Sequence, residues 1–180
     1  MPNLHTPISA HDFHQGDLNA PIQLVHFGDF ECPYSGALDI ALHHLRNSEG
    51  DHLLYVFRPF PLSDIHPHAH IATRAAYAAN DQGQFWPMYD VLFQNQNALG
   101  ATFLKIYAEK LGLDSARFES DFRSDKYEDH IARSVEDAKA SGAHGTPTLY
   151  INGQFHDNRE GLWKLQRLRN AVRDVTKQEN

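Results

Sequence analysis

Phe27-Gly28-Asp29-Phe30-Glu31-Cys32-Pro33-Tyr34-Ser35-Gly36-Ala37-Leu38 is the stretch on which the fold turns. Ahead of it, Ile22 to Phe27 is an apolar run with the composition of a buried strand. Behind it, Leu38, Leu42 and Leu45 recur at i, i+4 and i+7, one face of a helical period. Cys32 therefore sits at a strand-to-helix junction, followed by a proline suited to the first turn of a helix.

It is the only cysteine in the chain. The amino end of a helix favours a thiolate over a neutral thiol through its unpaired N–H groups and its dipole. A small cysteine buried as packing fits the same junction. Strand, cysteine, proline and helix alone leave both readings open.

The 180 residues suit one domain, large enough to bury a proper core. A net charge of −7 offers no electrostatic attraction for nucleic acid or anionic membrane, so neither is expected as a partner. The chain lacks an apolar run of about 18 residues, and Met1 to Ala20 lacks the basic start and apolar centre of a secretory signal. One cysteine excludes an intramolecular disulfide, which fits a reducing cytoplasm.

From the amino end, an edge strand is expected near His11–Phe13 and a confident strand at Ile22–Phe27. A helix follows over Pro33–Asn47, then a buried strand over Asp51–Phe57 closed by Arg58-Pro59-Phe60-Pro61. Helices are expected over Ile71–Asn80, Gln84–Gln94 and Ala101–Leu111, then from Asp114 to Phe122. The next, Tyr127–Ser141, is expected to be capped by Ser124 or Asp125. Thr146–Ile151 and Gln154–His156 read as strands joined by an Asn152-Gly153 hairpin turn. Glu160–Val175 closes the chain as an amphipathic helix with Leu162, Leu165, Leu168 and Val172 on one side. Two strands joined by a helix imply a parallel pair with a right-handed crossover. The fold class is α/β: a mixed central sheet with helices on both faces.

The pieces fall in a telling order. Asn19-Ala20-Pro21-Ile22 leads the first strand, and Gly28-Asp29-Phe30-Glu31-Cys32-Pro33-Tyr34 ends it. Arg58-Pro59-Phe60-Pro61-Leu62, His66-Pro67-His68-Ala69 and Phe85-Trp86-Pro87-Met88 come next, then Gly142-Ala143-His144-Gly145-Thr146-Pro147-Thr148 with Asn152-Gly153. This ordered set, from about residue 19 to 156, resembles the DsbA-like branch of the thioredoxin superfamily. The resemblance implies a single thioredoxin-fold domain over 1–180 with a helical insertion at about 64–141. It also implies a cis Thr146-Pro147 bond facing Cys32, with Pro33, Tyr34, Thr146 and Pro147 docking an extended substrate by strand addition.

Two departures shape the chemistry. The second cysteine of the family's Cys-Xaa-Xaa-Cys motif is here Ser35, and the acidic residue six positions before the nucleophile is here His26. The dithiol cycle is closed to this chain. Cys32 is then expected to form a mixed disulfide that an external thiol resolves, with glutathione as the possible co-substrate and no other cofactor. Ser35 can stabilise the thiolate by a hydrogen bond, and His26 is a candidate base. The expected partners are protein or small-molecule thiols and disulfides. The rival from another class is a redox-inactive member that keeps the proline loop as a peptide-binding surface.

The remaining histidines read differently. His66, His68 and His70 have the look of metal ligands, but Pro67 breaks the turn and no metalloprotease glutamate follows, so no metal is expected. Glu31, beside the thiol, is expected to point to solvent, where its charge opposes a thiolate least.

Overall fold

In the computed structural model, which describes residues 3–156, 161 and 164–178, the apolar run forms the central strand β2, Ile22–Gly28. Apolar on both faces, it is covered on both. The edge strand β1, Phe13–Gln15, precedes it, later than the sequence places it, and pairs antiparallel with β3, Leu53–Pro59. β2 lies between β3, parallel to it, and β4, Thr148–Ile151, which is antiparallel. β5, Gln154–His156, closes the order β1-β3-β2-β4-β5. The β4–β5 turn is Asn152-Gly153, with φ of 47° and 76°, the left-handed pair that an Asn-Gly hairpin requires.

β3 runs two residues past its expected end, through Arg58 and Pro59, opposite Phe27 and Gly28. β1 pairs no further than Phe57, so the missing proline N–H faces no ladder partner. Phe60 N donates to Gly28 O at 2.7 Å and carries the pairing one residue further.

Between β2 and β3 runs α1, Pro33–Glu49, with a short 3₁₀ turn at Gly50–His52. The helical segment after β3 comprises α2 (Ala69–Asn80), α3 (Phe85–Gln94), α4 (Ala101–Lys110), α5 (Ser115–Arg123) and α6 (Glu128–Ala140). α7, Leu165–Gln178, buries Leu168, Val172 and Val175; Glu160 and Leu162 lie outside the described residues.

Strand alternation divides the interior in two. Leu24, Tyr55, Phe57, Leu149 and Ile151 face a core built with α1, α7 and the apolar sides of α2 to α5. Val25, Phe27, Leu54, Val56 and Tyr150 face the opposite side with Phe60, Ala138 of α6 and Ala143. Each large apolar side chain so buried contributes about 1.5–3 kcal/mol relative to exposure.

Arg58 ties the amino-terminal segment to this frame. It is 6% exposed and gives Nε and Nη2 to Asp12, Nη1 to Asp137 and Thr6 O, and Nη2 to Pro7 O. Every guanidinium nitrogen has a partner, as burial of an arginine demands.

Candidate active site

Cys32 is the residue just ahead of α1, in extended conformation, with Pro33 in the first turn. Its N–H donates to Asp29 O at 3.1 Å, and its own carbonyl accepts Gly36 N at 3.1 Å, so a tight turn ends β2 and the helix begins at once. The peptide bond Thr146-Pro147 is cis. The Sγ hydrogen of Cys32 donates to Thr146 O at 3.3 Å across 114 residues of chain. The strand order explains this meeting: β2 and β4 are neighbours, and residues 32 and 146 sit at adjacent ends of the two strands.

Cys32 is only 3% exposed, whereas Tyr34, two residues further on, is 60% exposed. The hydroxyl of Thr146 is buried without a hydrogen-bond partner among the described residues. Cys32, Pro33, Tyr34, Thr146 and Pro147 thus come together at one place.

Ser35 lies in the same turn and is fully buried. Its Oγ accepts Asp29 N at 3.3 Å. His26 lies deeper. It is buried on β2 among Phe57 and Phe93, and its Nδ1 bonds the Tyr55 hydroxyl at 2.9 Å. Burial first, then the Arg46 guanidinium, lowers its pKa to about 3, so the imidazole is neutral at ordinary pH.

Three residues without an expected role hold the motif in shape. Asp29 has no exposed surface. Its Oδ1 accepts Glu31 N at 2.8 Å, and its Oδ2 accepts Leu62 N at 2.9 Å and His66 Nδ1 at 2.7 Å. Gln96, in the loop after α3, donates Nε2 to Phe30 O at 2.9 Å and to Cys32 O at 2.8 Å. Gly36 is what lets it in, since a Cβ there would stand 2.3 Å from Gln96 Oε1.

Glu31 corrects an expectation. Its carboxylate turns away from open solvent and accepts both the N–H and Nδ1 of His68, the latter at 2.8 Å. Its side chain is 17% exposed. The helix carrying α2 therefore enters through a loop stapled to the Cys32 motif at two points, Asp29–His66 and Glu31–His68. His70 turns elsewhere, to Glu128 at 2.9 Å. The three histidines go to three carboxylates, and no group of three or more metal-binding side chains forms among the described residues.

Residues 9–170 match the model of the family described as Thioredoxin. Relatives by sequence include a Na(+)/H(+) antiporter NhaA 1 of Salinispora arenicola, 39% identical over 171 residues and 94% of this chain. Another, of the same name from Mycolicibacterium gilvum, is 40% identical over 163 residues and 89% of this chain. The chain spans only 26% of the length of each, so the match is to one segment of those proteins. Among the described residues, no helix is long and apolar enough to cross a membrane.

Solved structures agree on the architecture. BdbD of Bacillus subtilis superposes with a TM-score of 0.80 at 15% identity, covering 92% of this chain and 93% of its own. α-DsbA1 of Wolbachia pipientis does so at 0.77 and 20%, covering 97% and 95%. A thioredoxin-like oxidoreductase of Silicibacter pomeroyi does so at 0.74 and 22%, covering 94% of each. With the family match spanning residues 9–170, from the edge strand across the Cys32 turn and the cis-proline loop, this chain belongs to the thioredoxin family, here with a single cysteine.

Proposed function

We propose that this protein performs thiol–disulfide exchange with one sulfur, Cys32. The observation that carries the reading is the 3.3 Å approach of Cys32 Sγ to the carbonyl oxygen of Thr146, immediately before cis-Pro147. An extended substrate pairing with the loop would offer its own N–H to that carbonyl and take the place of the thiol hydrogen. The sulfur, released from that acceptor, would then face the substrate disulfide.

In the exchange, the Cys32 thiolate attacks one sulfur of a disulfide. A new S–S bond forms, the old one breaks, and the second sulfur leaves as a thiolate. Ser35 offers no sulfur to displace the captured one, so a second molecule must. A small thiol such as glutathione attacks the mixed disulfide, leaves with the substrate sulfur and returns Cys32 to the thiol. A compartment rich in such thiols suits this cycle. Ser35, with a hydroxyl hydrogen to give, is the residue we assign to stabilising the sulfur anion.

The low exposure of Cys32, 3%, favours a second reading in which the groove binds peptides and the sulfur stays idle. Incubation with oxidised glutathione, read by intact mass, separates them. A single adduct on Cys32, removed by reduced glutathione, supports exchange. A folded protein that takes up no adduct leaves the binding module. The relatives place this domain inside longer chains named antiporters, so membrane transport proteins are the first partner class to test by disulfide trapping.

A further inference from the structure

Beneath the Cys32 motif a chain of hydrogen bonds crosses the core. His26 Nδ1 meets Tyr55 Oη at 2.9 Å, Tyr55 Oη meets Tyr89 Oη at 2.8 Å, and Tyr89 Oη donates to Asp39 Oδ1 at 2.5 Å. His26, Tyr55 and Tyr89 have no exposed surface, and the Asp39 side chain is 14% exposed on α1. At the other end, His26 Nε2 is buried with no hydrogen-bond partner among the described residues. That nitrogen reaches under Gly28, where a Cβ would stand 2.7 Å from it, at the end of β2 from which the Cys32 turn departs.

The polarity of the chain follows from its ends. An ionised carboxylate only accepts, so Tyr89 must give its single hydroxyl hydrogen to Asp39. Tyr89 can then only accept from Tyr55, and Tyr55 only accept from His26. The imidazole therefore carries its hydrogen on Nδ1, and Nε2 is left with a bare lone pair. A protonated Asp39 that gives its hydrogen to Tyr89 reverses all three bonds and moves the histidine hydrogen to Nε2.

We propose that His26, Tyr55, Tyr89 and Asp39 form a proton path between the buried Nε2 beneath the Cys32 motif and a carboxylate near the surface. A proton arriving at Nε2 displaces the one on Nδ1 to Tyr55, whose own passes to Tyr89, whose own passes to Asp39. One proton crosses, and neither the histidine nor either tyrosine stays charged. Neutrality matters because burial disfavours every charged form of these groups.

The carboxylate end is set by its neighbours on α1 and α3. Burial raises the Asp39 pKa and the adjacent Asp90 adds to this, while Tyr89, Arg46 at 3.9 Å and His43 oppose it. Arg46 also lies 4.7 Å above the Tyr55 ring and holds Gln15 through Nη1. Thiol chemistry needs a proton removed and returned, and that use of the path rests on the exchange proposed above. The path itself does not require it.

The test reads the His26 tautomer from side-chain ¹⁵N chemical shifts. At neutral pH the imidazole should carry hydrogen on Nδ1. In Tyr89→Phe, Tyr55 loses its acceptor and turns to His26, so the hydrogen should move to Nε2. In the unmodified chain, acidification should produce the same move while the ring is still neutral. Cys32→Ala should leave all of this unchanged, so a chain inert to disulfides still answers the question. An Nε2-hydrogen tautomer at neutral pH, or no change in folded Tyr89→Phe, overturns the path. If Tyr89→Phe does not fold, the neutral-pH tautomer and the acid titration of the unmodified chain decide it.

Discussion

The carboxylate of Asp29, wholly buried, accepts the Nδ1 hydrogen of His66 at 2.7 Å and so pins the loop between β3 and α2 to the turn that bears Cys32. Among the described residues, three donors converge on this one carboxylate, from Glu31, Leu62 and His66. A buried carboxylate is tolerated only when its lone pairs are used in this way.

His66→Ala removes one of the three donors and leaves an anion underpaired in the interior. Such a loss costs about 1–3 kcal/mol, by the general penalty for an unsatisfied buried group. Urea unfolding should show the drop. The mixed disulfide with oxidised glutathione should also form more slowly, because the turn beneath the sulfur loosens. Unchanged stability would mean that the loop is held by other contacts.

Gln96 and Gly36 act as one feature. Gln96→Ala deletes the two hydrogen bonds to Phe30 O and Cys32 O, a loss of about 1–3 kcal/mol if both carbonyls stay dry. Gly36→Ala places a methyl where Gln96 Oε1 now sits and should push the same amide away. The two effects should therefore not add. In a double-mutant cycle the combined variant should be no less stable than the worse single variant, and additive losses would separate the two residues.

Ser35→Cys tests the single-sulfur assignment directly. The residue lies one helical turn beyond Cys32, the spacing of the dithiol motif in this family. Under oxidised glutathione, the unmodified chain should stop at the mixed disulfide. Ser35→Cys should go on to an internal disulfide, seen as loss of the adduct and of two hydrogens in the intact mass. Persistence of the adduct in Ser35→Cys would mean that the buried position 35 cannot reach the sulfur.

What could be read in the sequence was local. The apolar run of β2, the proline opening α1 and the Asn152-Gly153 turn each announce themselves within a few residues. The cis bond at Pro147 came with the ordered set of family motifs. The supports of the site were hidden because they join distant segments: Glu31 to His68, Asp29 to His66, Gln96 to Cys32 across 64 residues. Even a local sign misled. Ser124 or Asp125 is the expected cap for α6; Ser124 turns its hydroxyl back to Asp121 O at 2.8 Å and closes α5, and α6 begins after Tyr127 with no side-chain cap from either among the described residues. A serine between two helices can serve either one, and spacing alone does not choose.

The buried His26 makes stability depend on pH, with a sign that follows from its environment. Its ordinary pKa of 6.5 falls to about 3 in the folded chain, because burial excludes the charged ring and Arg46 repels it. The unfolded chain therefore binds a proton near pH 6.5 that the folded chain refuses until near pH 3. The stability tied to this group is whole above pH 6.5 and declines as the pH falls toward 3. The decline is at most about 1.4 kcal/mol per pH unit, the value of one proton. Replacing His26 by Phe removes the titration and also deletes one of the two hydrogen bonds of the Tyr55 hydroxyl, so the variant should be less stable at neutral pH. Its stability should nonetheless fall less steeply between pH 6.5 and 3, and the gap to the unmodified chain should narrow on acidification. Urea unfolding of both chains at several pH values in that window measures it. Parallel slopes would mean that His26 becomes protonated in the fold, with water reaching its Nε2.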